Sequence, residues 1–179
     1  MAKPWQHFRT ITRHRHAVIA HCFRAGIGWQ GLFHDLSKYS PSEFVAGAKY
    51  YAGTRSPNDI ERRENGHSLA WMHHKGRNKH HFEYWTDYNP ETRRVEPVEM
   101  PLRYVIEMLC DRMAASKIYQ GDAYTDKSAL VYFMGGKDRR IIHPKTSDLL
   151  ERLLTLLAEK GEDAVFAETR RLLREERLK

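Results

Sequence analysis

Polar and apolar positions along this chain alternate with helical spacing, and the breaks between amphipathic stretches are short. The first stretch, about 5–25, gathers Phe8, Ile11, Val18 and Cys22 on one face and stops near Gly26. A second, about 29–38, would bury Trp29, Leu32, Phe33 and Leu36. Ser40-Pro41-Ser42-Glu43 supplies a cap, a first-turn proline and a glutamate three positions later. That order predicts a capping box and a third helix over about 41–51. After the polar break AGTRSPND, Ser56-Pro57 opens a fourth helix that ends near Asn65-Gly66, and a short one follows over 67–75. Residues 86–98, rich in Pro, Asn, Thr and charge, read as a loop. Pro101 starts a long helix to about Tyr119, and another covers 128–134 before Gly135-Gly136. HPKTSDLLERLLTLLAEKG is a strong amphipathic helix with Gly161 as its stop, and a basic amphipathic helix runs from 162 to about 176. No stretch shows convincing strand alternation. The expectation is an all-α bundle forming one domain over 1–179, with its chemistry in about 7–134 and scaffold or an oligomer surface in 137–179.

Composition narrows the setting. The chain has 179 residues, enough to bury one core without staples. No apolar run approaches the roughly 18–20 residues of a membrane span. The N-terminus is charged but has no apolar stretch behind it, unlike a secretory signal. Cys22 and Cys110 both lie in apolar helical patterns and read as reduced core residues. A cytoplasmic protein without a membrane partner is expected. The net charge of +7 points to an anionic partner or to a solvated basic surface.

Histidine changes the picture most. There are eleven, and five fall within 67–81. Each suits a metal or a proton transfer near neutral pH. His14 lies three positions after Ile11 and four before Val18, so it shares the apolar face of the first helix. It is either a core histidine bonded to a carbonyl or a ligand. His34-Asp35 follows an apolar run in GLFHDLSKYSPSEF. Neighbours on a helix diverge by about 100°, so the pair converges on one ion only where the helix meets an interior cleft. Imidazole plus carboxylate suits Mn, Fe, Co, Ni or Zn better than Ca or Mg; a plain His-Asp hydrogen bond is the competing reading. AWMHHKGRNKHHFEYW holds His73, His74, His80 and His81 with Lys75, Arg77 and Lys79 between them, which reads as an anion site beside a metal site or as an exposed basic turn. Spacing does not fix which member of each pair points inward. Asp111 sits on the stripe of Tyr104, Met108, Ala115 and Ile118. A carboxylate there needs a cation, either an arginine or a metal.

In order, these pieces run His, His-Asp, paired His, Asp. The pattern resembles the HD-domain superfamily of metal-dependent phosphohydrolases, and HDLSK is similar to its HD-x-x-K form. The middle histidines are similar to the two-metal variants with six ligands. HDLSKYSPSEF, AWMHHKGRNKHHFEYW and EMLCDRMAASK also resemble an uncharacterised bacterial family of HD-like proteins. The resemblance implies an HD-like helical bundle holding one or two divalent transition-metal ions through His14, His34, Asp35, His74, His81 and Asp111, with His73 and His80 as the alternatives for the middle two. It implies Lys38, His73 and His80 as catalytic groups, and Lys75, Arg77 and Lys79 as contacts for a small phosphorylated substrate, such as a nucleotide. Two other functions stay open: a di-iron oxygenase, and a protein that binds nucleic acid through the basic aromatic segment 71–85.

Overall fold

The computed structural model describes residues 1–178. The chain order is α1 (Pro4–Ala25), α2 (Gly28–Gly31), α3 (Pro41–Lys49), α4 (Pro57–Asn65), α5 (Leu69–Lys75), β1 (Thr86–Asn89), β2 (Arg94–Pro97), α6 (Leu102–Gln120), α7 (Ser128–Met134) and α8 (Pro144–Arg177). The fold is mostly helical, as the spacing predicts. Among the described residues no helix is long and apolar enough to cross a membrane.

α6 is the central helix. Six consecutive residues, Val105 to Cys110, are buried, so this helix is enclosed on nearly all sides rather than along one stripe. α1 supplies Val18, Cys22 and Ala25 to the same core. α8 supplies Leu150, Leu153, Leu154 and Leu157, then Val165, Phe166 and Leu173. A bend separates these two groups. Gly161 has φ 78° and ψ −178°, which a helix cannot contain, so the predicted stop is a sharp kink between two arms with no loop. Lys117 and Arg24 both bind Glu162 beside the kink and tie it to α6 and α1. Cys22 and Cys110 are free, buried thiols.

Three expectations are corrected. Residues 86–98 contain a two-stranded antiparallel hairpin pairing Thr86 with Pro97 and Asn89 with Arg94. Its strands are too short to show alternation. Asn89 stabilises its turn through the backbone N–H of Glu91 and donates to Glu96. The helix over 29–38 is instead the single turn of α2, a tight turn, and a 3₁₀ turn over Leu36–Tyr39. Trp29, Phe33 and Leu36 are therefore exposed, at 82%, 69% and 47%. α2 packs so close to α1 that a Cβ on Gly31 would come within 2.5 Å of the Cys22 Cβ. Phe8 is likewise at the surface. The third correction concerns α3: Ser40 makes no side-chain cap, and Glu43 has other partners, described below.

Candidate metal centre

The turn after α2 resolves how neighbouring residues can face one point. Asp35 takes a left-handed backbone conformation, φ 54°. Aspartate is one of the few non-glycine residues that tolerates this region. The reversal breaks the helical 100° divergence and leaves both His34 and Asp35 buried. Arg15 of α1 holds the turn by donating to the carbonyls of His34 and Leu32.

Asp35 is the hub of two donor groups. Its Oδ2 faces His34 Nε2 at 3.3 Å and His14 Nε2 at 3.7 Å. Asp111 Oδ1 completes this group, 3.0 Å from His14 Nε2 and 3.6 Å from His34 Nε2. Asp35 Oδ1 faces the other way, 3.3 Å from His74 Nε2 and 3.4 Å from His80 Nε2. His81 joins that second group, and in each group the ligand atoms lie within 4.8 Å of one another. α1, the turn after α2, α5 with the segment behind it, and α6 each contribute.

The orientation of the rings is fixed from behind. Glu107 Oε1 accepts from His34 Nδ1 at 2.9 Å and lies 3.2 Å from His80 Nδ1. Glu43 accepts from His74 Nδ1 and His73 Nδ1, each at 2.7 Å. A carboxylate only accepts, so each Nδ1 carries the proton, and the Nε2 lone pairs of His34, His74 and His80 are left facing the centre. This is the arrangement in which carboxylates orient metal-ligating histidines. It also explains why Glu43 does not close a capping box.

The donors fit a cation. Among the described residues, His14 Nε2, His34 Nε2, His80 Nε2, His81 Nε2 and Asp35 Oδ1 are buried without a hydrogen-bond partner. Five such atoms in one place are expensive unless something positive joins them. Charge agrees: Asp35, Asp111, Glu107 and Glu43 surround the histidines, against one ammonium, Lys38, 2.5 Å from Asp35 Oδ2. Burial opposes charge on His34, but Asp35, Asp111 and Glu107 outweigh it and push its pKa well above the ordinary value. His14 falls below its ordinary value through burial and Lys38, and His81 falls well below its own through burial and the imidazoles of His80 and His74. Glu107 is drawn down to about 2, because its two imidazole partners outweigh its burial. The field that favours a proton on His34 favours any cation at the same place.

A cavity of about 680 Å³ opens onto this cluster. His14, His74, His81 and Asp111 line it, as do the cations Lys38, Arg55, Arg62, Arg112 and Arg140. Asp35 outweighs the burial of Lys38 and holds it charged, with its pKa raised.

Of the residues read from sequence, His14, His34, Asp35, His74, His81 and Asp111 come together. His80 also lies among the donors, and its Nε2 faces Asp35. His73 stands outside, half-buried on Glu43. Lys75, Arg77 and Lys79 do not line the cavity. α5 ends at Lys75, and the turn behind it carries Arg77 and Lys79 to the surface, where Arg77 donates to the His73 carbonyl and Lys79 lies over Tyr84 and Tyr104. Glu107 was missed. It had a readable signal, since it precedes Asp111 by four positions on one helix face.

Residues 3–156 match a family of unknown function, DUF5662. The chain belongs to the DUF5662 family. The stretch shared with DUF5662 holds every donor from His14 to Asp111 and ends within α8. No curated protein and no solved structure matches the chain.

Proposed function

We propose that this protein is a metal-dependent phosphohydrolase of the HD type, acting on a small phosphoester. The supporting observation is the division of Asp35: one carboxylate oxygen faces each of two histidine-rich donor groups. The donors follow the order His, His-Asp, His, Asp that resembles HD phosphohydrolases. Nitrogen and carboxylate donors suit Mn, Fe, Co, Ni or Zn. Bound there, such an ion supplies Lewis acidity and lowers the pKa of a water.

The chain's own residues do the rest. Glu107 and Glu43 keep the Nε2 lone pairs inward, so the donor set is formed before any ligand arrives. Lys38, held charged by Asp35, lines the cavity and stabilises negative charge developing on phosphoryl oxygens. A cavity of about 680 Å³ admits a nucleotide-sized molecule rather than a polymer. The aromatic segment that would stack nucleic-acid bases is largely engaged inside the chain: Trp71 packs on His74 and His81, Phe82 is buried, and Trp85 packs on Tyr104.

The test is turnover of a phosphoester panel by protein loaded separately with Mn, Co, Ni and Fe, beside Asp35→Asn. Activity with at least one metal, lost in the variant, is expected. No turnover with any metal overturns the reading. The same donors suit a pair of irons for oxygen chemistry, and metal analysis with EPR of protein purified without added metal distinguishes the two. Two irons per chain with a mixed-valent signal favour the oxygenase.

A further inference from the structure

Beyond Asp111 the cavity continues past Ala115 and Ser116 and also reaches Arg112, Tyr132 and Arg140. Arg112 follows Asp111 on α6, and its Nε is buried without a partner. Its guanidinium lies 5.6 Å from the centre of the Phe133 ring. Arg140, from the connection between α7 and α8, lies 5.2 Å from the same ring centre. Two guanidinium groups thus share one aromatic ring at the wall of a cavity. Neither has a carboxylate within 4.0 Å among the described residues, which sets them apart from Arg24, Arg62 and Arg171, each ion-paired at the surface. Among the described residues, Arg112's one contact of hydrogen-bond type is a weak one to Met108 Sδ at 3.8 Å. Arg140 is positioned by the carbonyls of Phe133 and Tyr132.

The nearby acids do not neutralise the pair. Asp111 faces His14 and His34. Glu83 lines the same stretch of the cavity and attracts both arginines at a distance, but it forms no ion pair with either within 4.0 Å among the described residues, and its Oε2 is buried without a partner. The two like charges, partly withdrawn from water, repel each other and lack the directly paired counter-charge that buried ions require. Their planar forks match the oxygens of a phosphate or a carboxylate.

We infer that Arg112 and Arg140 form a recognition subsite for a second anionic group on the substrate. The inference rests on the phosphohydrolase reading for what binds at the donor cluster. It narrows the substrate to a phosphoester that carries another phosphate or carboxylate. Lys38 and the cluster take the scissile phosphate; the arginine pair takes the second anion and sets the register between them. Arg112 acts in binding and selectivity, and no bond is made or broken there.

The experiment is calorimetric titration of metal-loaded protein with three compounds of similar size: ethyl phosphate, 2-phosphoglycolate and ethylene glycol bisphosphate. The first has one anionic group; the others add a carboxylate or a phosphate. The wild type is expected to bind at least one of the two double anions about tenfold or more tightly than ethyl phosphate, and the stronger of them names the second group. Arg112→Leu is expected to abolish that advantage while leaving ethyl phosphate affinity, metal content and Tm unchanged. Arg112→Lys, which keeps charge but not the fork, should retain part of it. Equal affinity of the wild type for all three compounds overturns the inference. So does an equal loss for all three in Arg112→Leu. Absence of turnover alongside a preserved affinity ratio would sink the hydrolytic reading and leave the anion subsite standing.

Discussion

Replacing Glu107 with glutamine tests the orientation argument most directly. The side chain keeps its size, so packing against the buried helix α6 is conserved while the charge is lost. In the wild type Oε1 serves both His34 and His80, and Oε2 accepts from Gln30 Nε2. Gln30 Oε1 in turn accepts from Arg103 Nε at 2.5 Å. In Glu107→Gln, the amide oxygen best faces the two histidines, because its NH₂ would meet two Nδ1–H donors. The NH₂ then confronts the NH₂ of Gln30, which must flip and release Arg103. Each imidazole bond changes from charge-assisted to neutral, a loss of about 1 kcal/mol apiece. Two such bonds make about 2 kcal/mol, or roughly thirtyfold in metal affinity, which agrees with the ten- to hundredfold expected for outer carboxylates. The assay is competition with a chromogenic chelator, using Glu61→Gln as control, since that buried acid bonds to Ser68 instead. Wild-type metal affinity in Glu107→Gln would refute the claim that this carboxylate orients both donor groups.

Three further outcomes are expected. Asp35→Asn keeps a residue that tolerates the left-handed conformation, so the fold should survive while metal content falls in both groups; retention of the full metal complement by atomic emission would contradict the hub role. Gly47→Ala should lower Tm by an amount equivalent to about 1–3 kcal/mol, because the new Cβ would lie 2.2 Å from His7 Nε2; an unchanged Tm would show that α1 and α3 can separate there without loss. His7 is depressed to about 4 by burial and by Lys38, so the unfolded chain, near 6.5, takes up its proton first as pH falls. Stability should therefore drop between about pH 6.5 and 4, by about 2 kcal/mol on going from pH 7.5 to 5, and His7→Gln should flatten that slope in urea titrations; an identical slope in the variant would exclude His7 as its source.

Much of the molecule could be read along the chain, and the legible parts share one property: each is set by a short stretch of residues. The spacing of Ile11, His14 and Val18 put His14 on a buried face, and it is buried. Pro57 and Pro144 open helices, Gly161 interrupts one, and Asp111 on its apolar stripe faces histidines. The order His14, His34-Asp35, His74, His81, Asp111 named six residues that do converge. Where a backbone reversal or a tertiary partner competed with the local signal, reading failed. Trp29, Phe33 and Leu36 looked like a buried helical face, but the left-handed Asp35 ends that helix and leaves them at the surface. Ser40 and Glu43 formed a local capping signature that lost to two imidazoles brought from α5.

The sequence by itself determined which chemical groups are present, the existence of α1, α6 and α8, and the buried stripe of α8, because periodicity and capping are properties of neighbouring residues. Only the tertiary structure decided which nitrogen of each histidine faces inward, that His80 stands beside His81 among the donors, that Glu107 and Glu43 lie behind the rings, and that Lys79 and Arg77 point away while Arg112 and Arg140 meet across Phe133. Those choices depend on carboxylates and rings that arrive from 30 to 73 positions away, as Glu43 does for His73 and Glu107 for His34. Their partners are fixed by helix packing, which no local pattern encodes.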